Sequence, residues 1–293
     1  MTALVRRPDA AILPAVPRSS NPQDLWHDAA RLRQEWLSCG LSGAPADRRT
    51  AEESLAAIYA RLSRPRPRFV WVDSPHAALR HVVGLPTLDD VYRWIRDPRQ
   101  RGAPPLASDL ALLSSRLRAG LSSGVGHADP DLSPARRAKG KDREPWPDLP
   151  AGAALAAGVP PGVVLHRGIR VMLHRSLMLG FAVPIRTLLA RGGPVPVCWY
   201  GQQDASWIGY YDILHRLGLA RYAPDAATHL GEWAALARSC GWWWPGEEVC
   251  VVTERPELAE VVPVPGIPGN RHGEVRLRPG GVRYRDGWHP RLG

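Results

Sequence analysis

At 293 residues the chain suffices for one large domain or two small ones, and it can bury a substantial core without disulfide staples. Hydrophobic residues make up 44% and the formal net charge is +10, so nucleic acid, an anionic surface or an acidic partner would all be attracted. Four cysteines with no C-x-x-C pair argue against a structural zinc site or a disulfide scaffold, and no stretch approaches about 18 uninterrupted apolar residues, which argues against a membrane span.

The charge also has a bland source. Lys139 and Lys141 are the only lysines, and Arg, Ala, Pro and Gly are abundant together, as in the products of a GC-rich genome. Cys39, Cys198, Cys240 and Cys250 read as reduced thiols of a cytoplasmic protein. The chain has 12 Trp against 2 Phe, and Trp suits sites that are half buried or that stack on a ligand.

Residues 1–22 are Pro-rich and read as a disordered tail. Leu25, Trp26, Ala29, Leu32, Arg33 and Trp36 recur at helical spacing up to Cys39-Gly40. A second helix is expected from Asp47 to Leu62. Arg64-Pro65-Arg66-Pro67-Arg68 must be extended, because each proline disfavours helix in the residue before it. Phe69–Val72 is of strand type, and Ser74-Pro75 reads as a helix start. Thr87 and Asp90 resemble a capping box ahead of an apolar face of Val91, Trp94 and Ile95. Leu106–Leu121 is a further helix.

Residues 122–161 read as an exposed, basic, Pro-rich connection that includes His127 and the Ala135–Arg143 run. A helical pattern returns from Val163 to Gly180, and Pro184 opens a separate short helix to Leu189. The apolar run Val195–Tyr200 ends at Gly201. Helices are expected at about Gln203–Leu217 and Asp225–Cys240, a strong strand at Glu248–Thr253, and a hairpin joining Val275–Leu277 to Val282–Tyr284. The sum is a mainly helical α+β protein with a small C-terminal antiparallel or mixed sheet. Residues 23–293 form a single domain in this reading.

No phosphate-binding loop, dinucleotide fingerprint, H-E-x-x-H or G-x-S-x-G is present, and no cofactor or metal is expected. Placed on a helix, Asp204, Tyr211 and His215 fall within about 20° of one line. They are the candidate catalytic group, since an acid, a phenol and an imidazole on one stripe suit general acid/base work. A buried hydrogen-bonded network is the alternative. Gln202 and Gln203, at the loop-to-helix junction, and Trp207 are candidate ligand contacts. In Trp242-Trp243-Trp244, alternate rings of an extended segment face opposite sides. Trp243 is therefore the candidate ring to face a ligand, with the outer two in the core; aromatic wedges that close the domain are the alternative. Arg255, at a strand end, is a candidate for the mouth of a site, with a solvated charge as the alternative. Cys198 and Cys250 sit in apolar runs and read as inert. Arg64, Arg66, Arg68 and Arg136–Arg143 could track phosphates, but only Trp146 accompanies them for base stacking.

The blocks Trp199–Trp207, Tyr210–Asp212, Gly241–Pro245, Val249–Pro256 and Tyr284–Trp288, with Trp71–Ala78 upstream, resemble a bacterial domain-of-unknown-function family of actinobacteria and cyanobacteria. The similarity spans about residues 25–290. It implies one domain across the 122–161 connection, so that the Phe69–Val72 and Glu248–Thr253 strands share a core. Similar proteins carry the domain beside leucine-rich repeats, which implies a binding or regulatory role. Three functions are carried forward. They are a module with a protein or peptide partner, an enzyme with a cleft between the Gln202–His215 helix and the Trp242–Arg255 segment, and a nucleic-acid binder.

Overall fold

The computed structural model describes residues 21–87, 90, 106–125, 149–190, 193, 195–196, 199–263, 271–276, 282–284 and 291–292, with only the backbone from 258 onward. The Val91–Ile95 face, His127, the Ala135–Arg143 run, Trp146, Cys198 and Arg285–Trp288 lie outside these residues.

Helix α1 (Pro22–Gly40) begins inside the expected tail, because the Asn21 side chain accepts the Gln23 N–H at 3.0 Å and Pro22 supplies a preset φ. It buries Ala29, Leu32 and Trp36 at helical spacing. Helix α2 (Arg48–Arg61) is capped by Asp47, which accepts the Thr50 N–H, and buries Ala51, Leu55, Ile58 and Tyr59. Strand β1 (Arg68–Val72) and the one-turn helix α3 (Pro75–Ala78), capped by Ser74, follow as expected. Thr87 and Asp90 make the reciprocal capping bonds, with Thr87 N–H to Asp90 Oδ2 at 2.8 Å and Asp90 N–H to Thr87 Oγ1 at 3.3 Å.

Helix α4 (Leu106–Ser123) and the short α5 (Ala151–Ala156) precede α6 (Pro161–Leu189). Sequence periodicity suggests two helices here, split before Pro184, yet α6 is continuous. Wide π turns occupy His166–Val171 and His174–Ala182. The second ends just before Pro184, and its widened turn relieves the clash of the ring with the preceding carbonyls. By length and composition α6 alone among the described helices could cross a membrane, but half of that window is buried within the fold. Strand β2 (Tyr200–Gly201), a 3₁₀ turn (Gln202–Asp204), α7 (Ala205–Arg216), α8 (Pro224–Ser239), β3 (Trp242–Trp244) and β4 (Val249–Thr253) complete the core.

The central sheet is mixed, in the order β1-β4-β3-β2. β1 and β4 pair in parallel, Arg68 beside Val249 through Val72 beside Thr253, and the other two pairings are antiparallel. The two strands expected to share a core are therefore immediate neighbours. A second, antiparallel sheet comprises β5 (Leu258–Pro263), β6 (Arg271–Arg276), β7 (Val282–Tyr284) and β8 (Arg291–Leu292). Its β6–β7 hairpin matches the expectation; β5 and β8 were not foreseen.

Helices cover both faces of the central sheet. Trp243, Cys250 and Val252, with Phe69, Trp71 and Tyr200, pack into the core formed with α1, α2, α7 and α8. Trp242, Trp244 and Val251, with Val70 and Val72, pack against Phe181, Ile185 and Leu189 of α6 and against Trp199. Each buried Trp removes roughly 150–250 Å² from water, worth about 4–6 kcal/mol on area bookkeeping. The indole N–H groups of Trp199, Trp242, Trp243 and Trp244 are buried without acceptors, at about 1–3 kcal/mol each. Burial therefore outweighs the lost hydrogen bonds.

Candidate functional site

The Gly201–Asp204 turn forms where two backbones nearly touch. Gly201 has φ +154° and lies beside Trp242, and a Cβ there would strike the Gly241 carbonyl and Trp242 Cα. Gln202 N–H bonds Gly241 O at 3.0 Å, and Gly241 N–H bonds Thr253 O at 3.0 Å. The turn is thus stitched to the end of α8 and to β4.

Asp204 is buried. Its carboxylate accepts the Gly201 N–H and the Trp207 indole N–H, each at 2.9 Å. Burial pushes its pKa up, opposed by the Gly201 N–H, the Arg118 charge and the Trp207 bond. The Tyr211 hydroxyl lies 2.7 Å from Ser122 Oγ on α4. His215 is half-buried, stacks on Tyr222 with centroids 5.3 Å apart, and has Nδ1 unpartnered. Asp204 lies in the 3₁₀ turn ahead of α7, while Tyr211 and His215 are one turn apart on α7 itself; each is engaged elsewhere and no hydrogen bond joins any two of them. Their contacts anchor α7 to α4, Tyr222 and the Gly201 turn.

The expected ligand residues divide sharply by exposure. Gln202 is wholly buried, and its Nε2 donates to Gly40 O at 2.9 Å. Gln203 is also buried, and the Oε1 atoms of both glutamines lack donors. Trp243 does face away from Trp242 and Trp244, but that side is core too: Tyr200 stacks on it at 4.9 Å and Trp233 lies 6.0 Å away. Its exposure is 0%, which corrects the expectation of a ligand-facing ring.

Arg255 is corrected likewise. It is 4% exposed, with Nη2 donating to Ala237 O at 3.0 Å and Nη1 to Cys39 O at 3.4 Å. Those carbonyls lie in the last turns of α8 and α1. The negative ends of two helix dipoles thus offset the buried charge. A charged residue after a strand gave no sign of this in the sequence, because the two helix ends converge only in three dimensions.

Trp207 is different. It is half-buried, edge-on to Trp233 at 5.5 Å, and the exposed Arg118 guanidinium lies 4.5 Å from its ring centroid. This patch draws on two helices, and sequence reasoning found only the Trp.

A polar network that was not foreseen joins α1, α7 and α8. Trp36 Nε1 donates to Asp212 Oδ2 at 2.7 Å, Arg216 Nη1 lies 2.9 Å from Glu35 and 3.6 Å from Asp212, and the Arg238 guanidinium lies 3.9 Å from the Trp36 ring centroid. The i,i+4 spacing of Asp212 and Arg216 was its only local sign. Burial raises the Cys240 thiol to about 12 and also raises Cys250, so neither is a thiolate at neutral pH. Among the described residues no three His, Cys, Asp or Glu side chains are grouped to hold a metal ion. Comparison with protein-family models, curated proteins and solved structures gives no match.

Proposed function

We propose that the protein is a binding module for an acidic protein or peptide segment, engaged through the Trp207–Arg118 face. The observation that carries the reading is the stacking of an exposed guanidinium on a half-buried indole, at 4.5 Å. Trp and Arg are the side chains that most often anchor interfaces, and here the α8 Trp233 ring braces the pair from behind. A net charge of +10 favours an acidic partner. Of the five residues expected to touch a ligand, Trp207 alone reaches the surface. The family resemblance, with its neighbouring repeat arrays, favours the same class of function.

A displayed peptide library selected on the intact protein tests this. Acidic sequences should be enriched, and Arg118→Glu should weaken the best of them by about tenfold or more, the scale of a lost charge contact. Selection of no acidic sequence, or equal affinity for the variant, contradicts the proposal. Retention on DNA that falls steeply with salt would support the nucleic-acid reading instead.

A further inference from the structure

We infer that the outer edge of β1 receives an extended acidic segment of a partner protein as an added antiparallel strand. β1 is a terminal strand of the central sheet. Its register with β4, together with the bonds Arg68 N–H to Glu248 O and Glu254 N–H to Val72 O, turns the backbone groups of residues 68, 70 and 72 toward β4. The N–H and C=O groups of Phe69 and Trp71 therefore point away from the sheet, and no described residue pairs with them. Such an edge is a template for another strand unless it is blocked. No proline, bulge or inward charge blocks these positions.

The flanking side chains specify the occupant. On the face of Phe69 and Trp71, the Arg66 and Arg48 guanidiniums lie over the two rings, each 5.0 Å from a centroid and more than half exposed, with Arg66 also paired to Glu52 at 3.1 Å and Arg48 to Glu254 at 2.9 Å. On the other face Val70 and Val72 belong to the second core, and Arg68 at the strand's start is exposed with no acidic partner among the described residues. Side chains directly opposite in an antiparallel pair share a face. An added strand meets both faces when acidic residues alternate with β-branched apolar ones. With Arg48 and Arg66 balanced by Glu254 and Glu52, Arg68 leaves the edge net positive; a second copy of this chain would set two such edges against each other, so a foreign acidic strand is the better fit.

The site is separate from the Trp207 face, and a labelled acetyl-Val-Glu-Val-Glu-Val-Glu-Val-amide peptide separates the two by fluorescence anisotropy. The peptide binds the 293-residue protein, while its Lys-for-Glu analogue does not. Arg66→Glu weakens binding by about tenfold. N-methylation of the glutamates, whose N–H groups face β1, abolishes binding, whereas N-methylation of the valines preserves it. The inference is overturned if the peptide fails to bind, if both N-methylated peptides behave alike, or if the valine set is the sensitive one. Loss in Arg118→Glu but not in Arg66→Glu also overturns it, and moves the peptide to the Trp207 face. A dimer in sedimentation that Arg66→Glu dissociates would identify the occupant as a second copy and overturn the partner assignment.

Discussion

Arg255 Nη2 donates to the carbonyl oxygen of Ala237 at 3.0 Å, and through Nη1 the same guanidinium reaches Cys39 O. One side chain thereby ties the C-terminal turns of α8 and α1 to the end of β4. Replacing it by Leu removes the charged donor from both carbonyls, leaving Cys39 O with the Ser42 N–H at 3.2 Å and Ala237 O with only the Cys39 thiol at 3.7 Å; each lost bond costs about 1–3 kcal/mol. Arg255→Leu should therefore lower unfolding free energy in urea by about 2–5 kcal/mol, and Arg255→Lys by less, since an ammonium can still satisfy one carbonyl. A Leu variant as stable as wild type would remove Arg255 from the framework and return it to the list of ligand contacts.

Gly201 has no room for a methyl group. Its φ of +154° and the backbone of Gly241 and Trp242 both oppose a side chain. Gly201→Ala should destabilise by about 2–4 kcal/mol. Gly158, with φ +79° but open space around it, should lose only about 1 kcal/mol on the same change. Thermal melts of the two variants compare steric exclusion with backbone strain directly, and equal losses would show that the close β2–β3 approach does not matter.

His229 gives stability a pH dependence. Its Nε2 accepts the Trp233 indole N–H at 3.1 Å, which requires the neutral ring. Burial first, and then the Arg61 charge, lower its pKa from 6.5 to about 4, while Asp225 opposes this. The unfolded chain takes up the proton as pH falls through 6.5, and the folded chain only near 4. The stability contribution is thus complete above about pH 6.5 and is lost progressively down to about pH 4. Between pH 7.5 and pH 5 the His229-dependent loss should be up to about 2 kcal/mol. Denaturant titrations of His229→Gln across this range should show a shallower slope than wild type. An unchanged slope would place the titration elsewhere.

Much of this framework is legible in the sequence because it is local. Apolar spacing marks α1, α2, α7 and α8, the Ser74 cap marks α3, and the alternation of Trp242, Trp243 and Trp244 gives the two faces of β3 correctly. What alternation cannot reveal is what covers each face. Trp233 arrives from α8 and Tyr200 from β2, so the side that looked free for a ligand is closed by residues distant from β3. Arg255 misleads for a related reason: its partners are backbone carbonyls, which carry no sequence signature. The spacing of Asp204, Tyr211 and His215 suggests one stripe, but Asp204 falls in the 3₁₀ turn before α7, and their partners Gly201, Ser122 and Tyr222 come from three separate segments. Arg118 was invisible as a site residue because its significance depends on α4 lying across Trp207.

The proposed binding face is tested most directly by fluorine NMR of the protein labelled with 5-fluorotryptophan, titrated with an acidic peptide selected as above. The Trp207 resonance, assigned from Trp207→Phe, should shift progressively, while those of Trp242, Trp243 and Trp244 stay fixed in the core. Shifts confined to the Trp242–Trp244 resonances, or a saturating peptide that leaves Trp207 unmoved, would contradict the account.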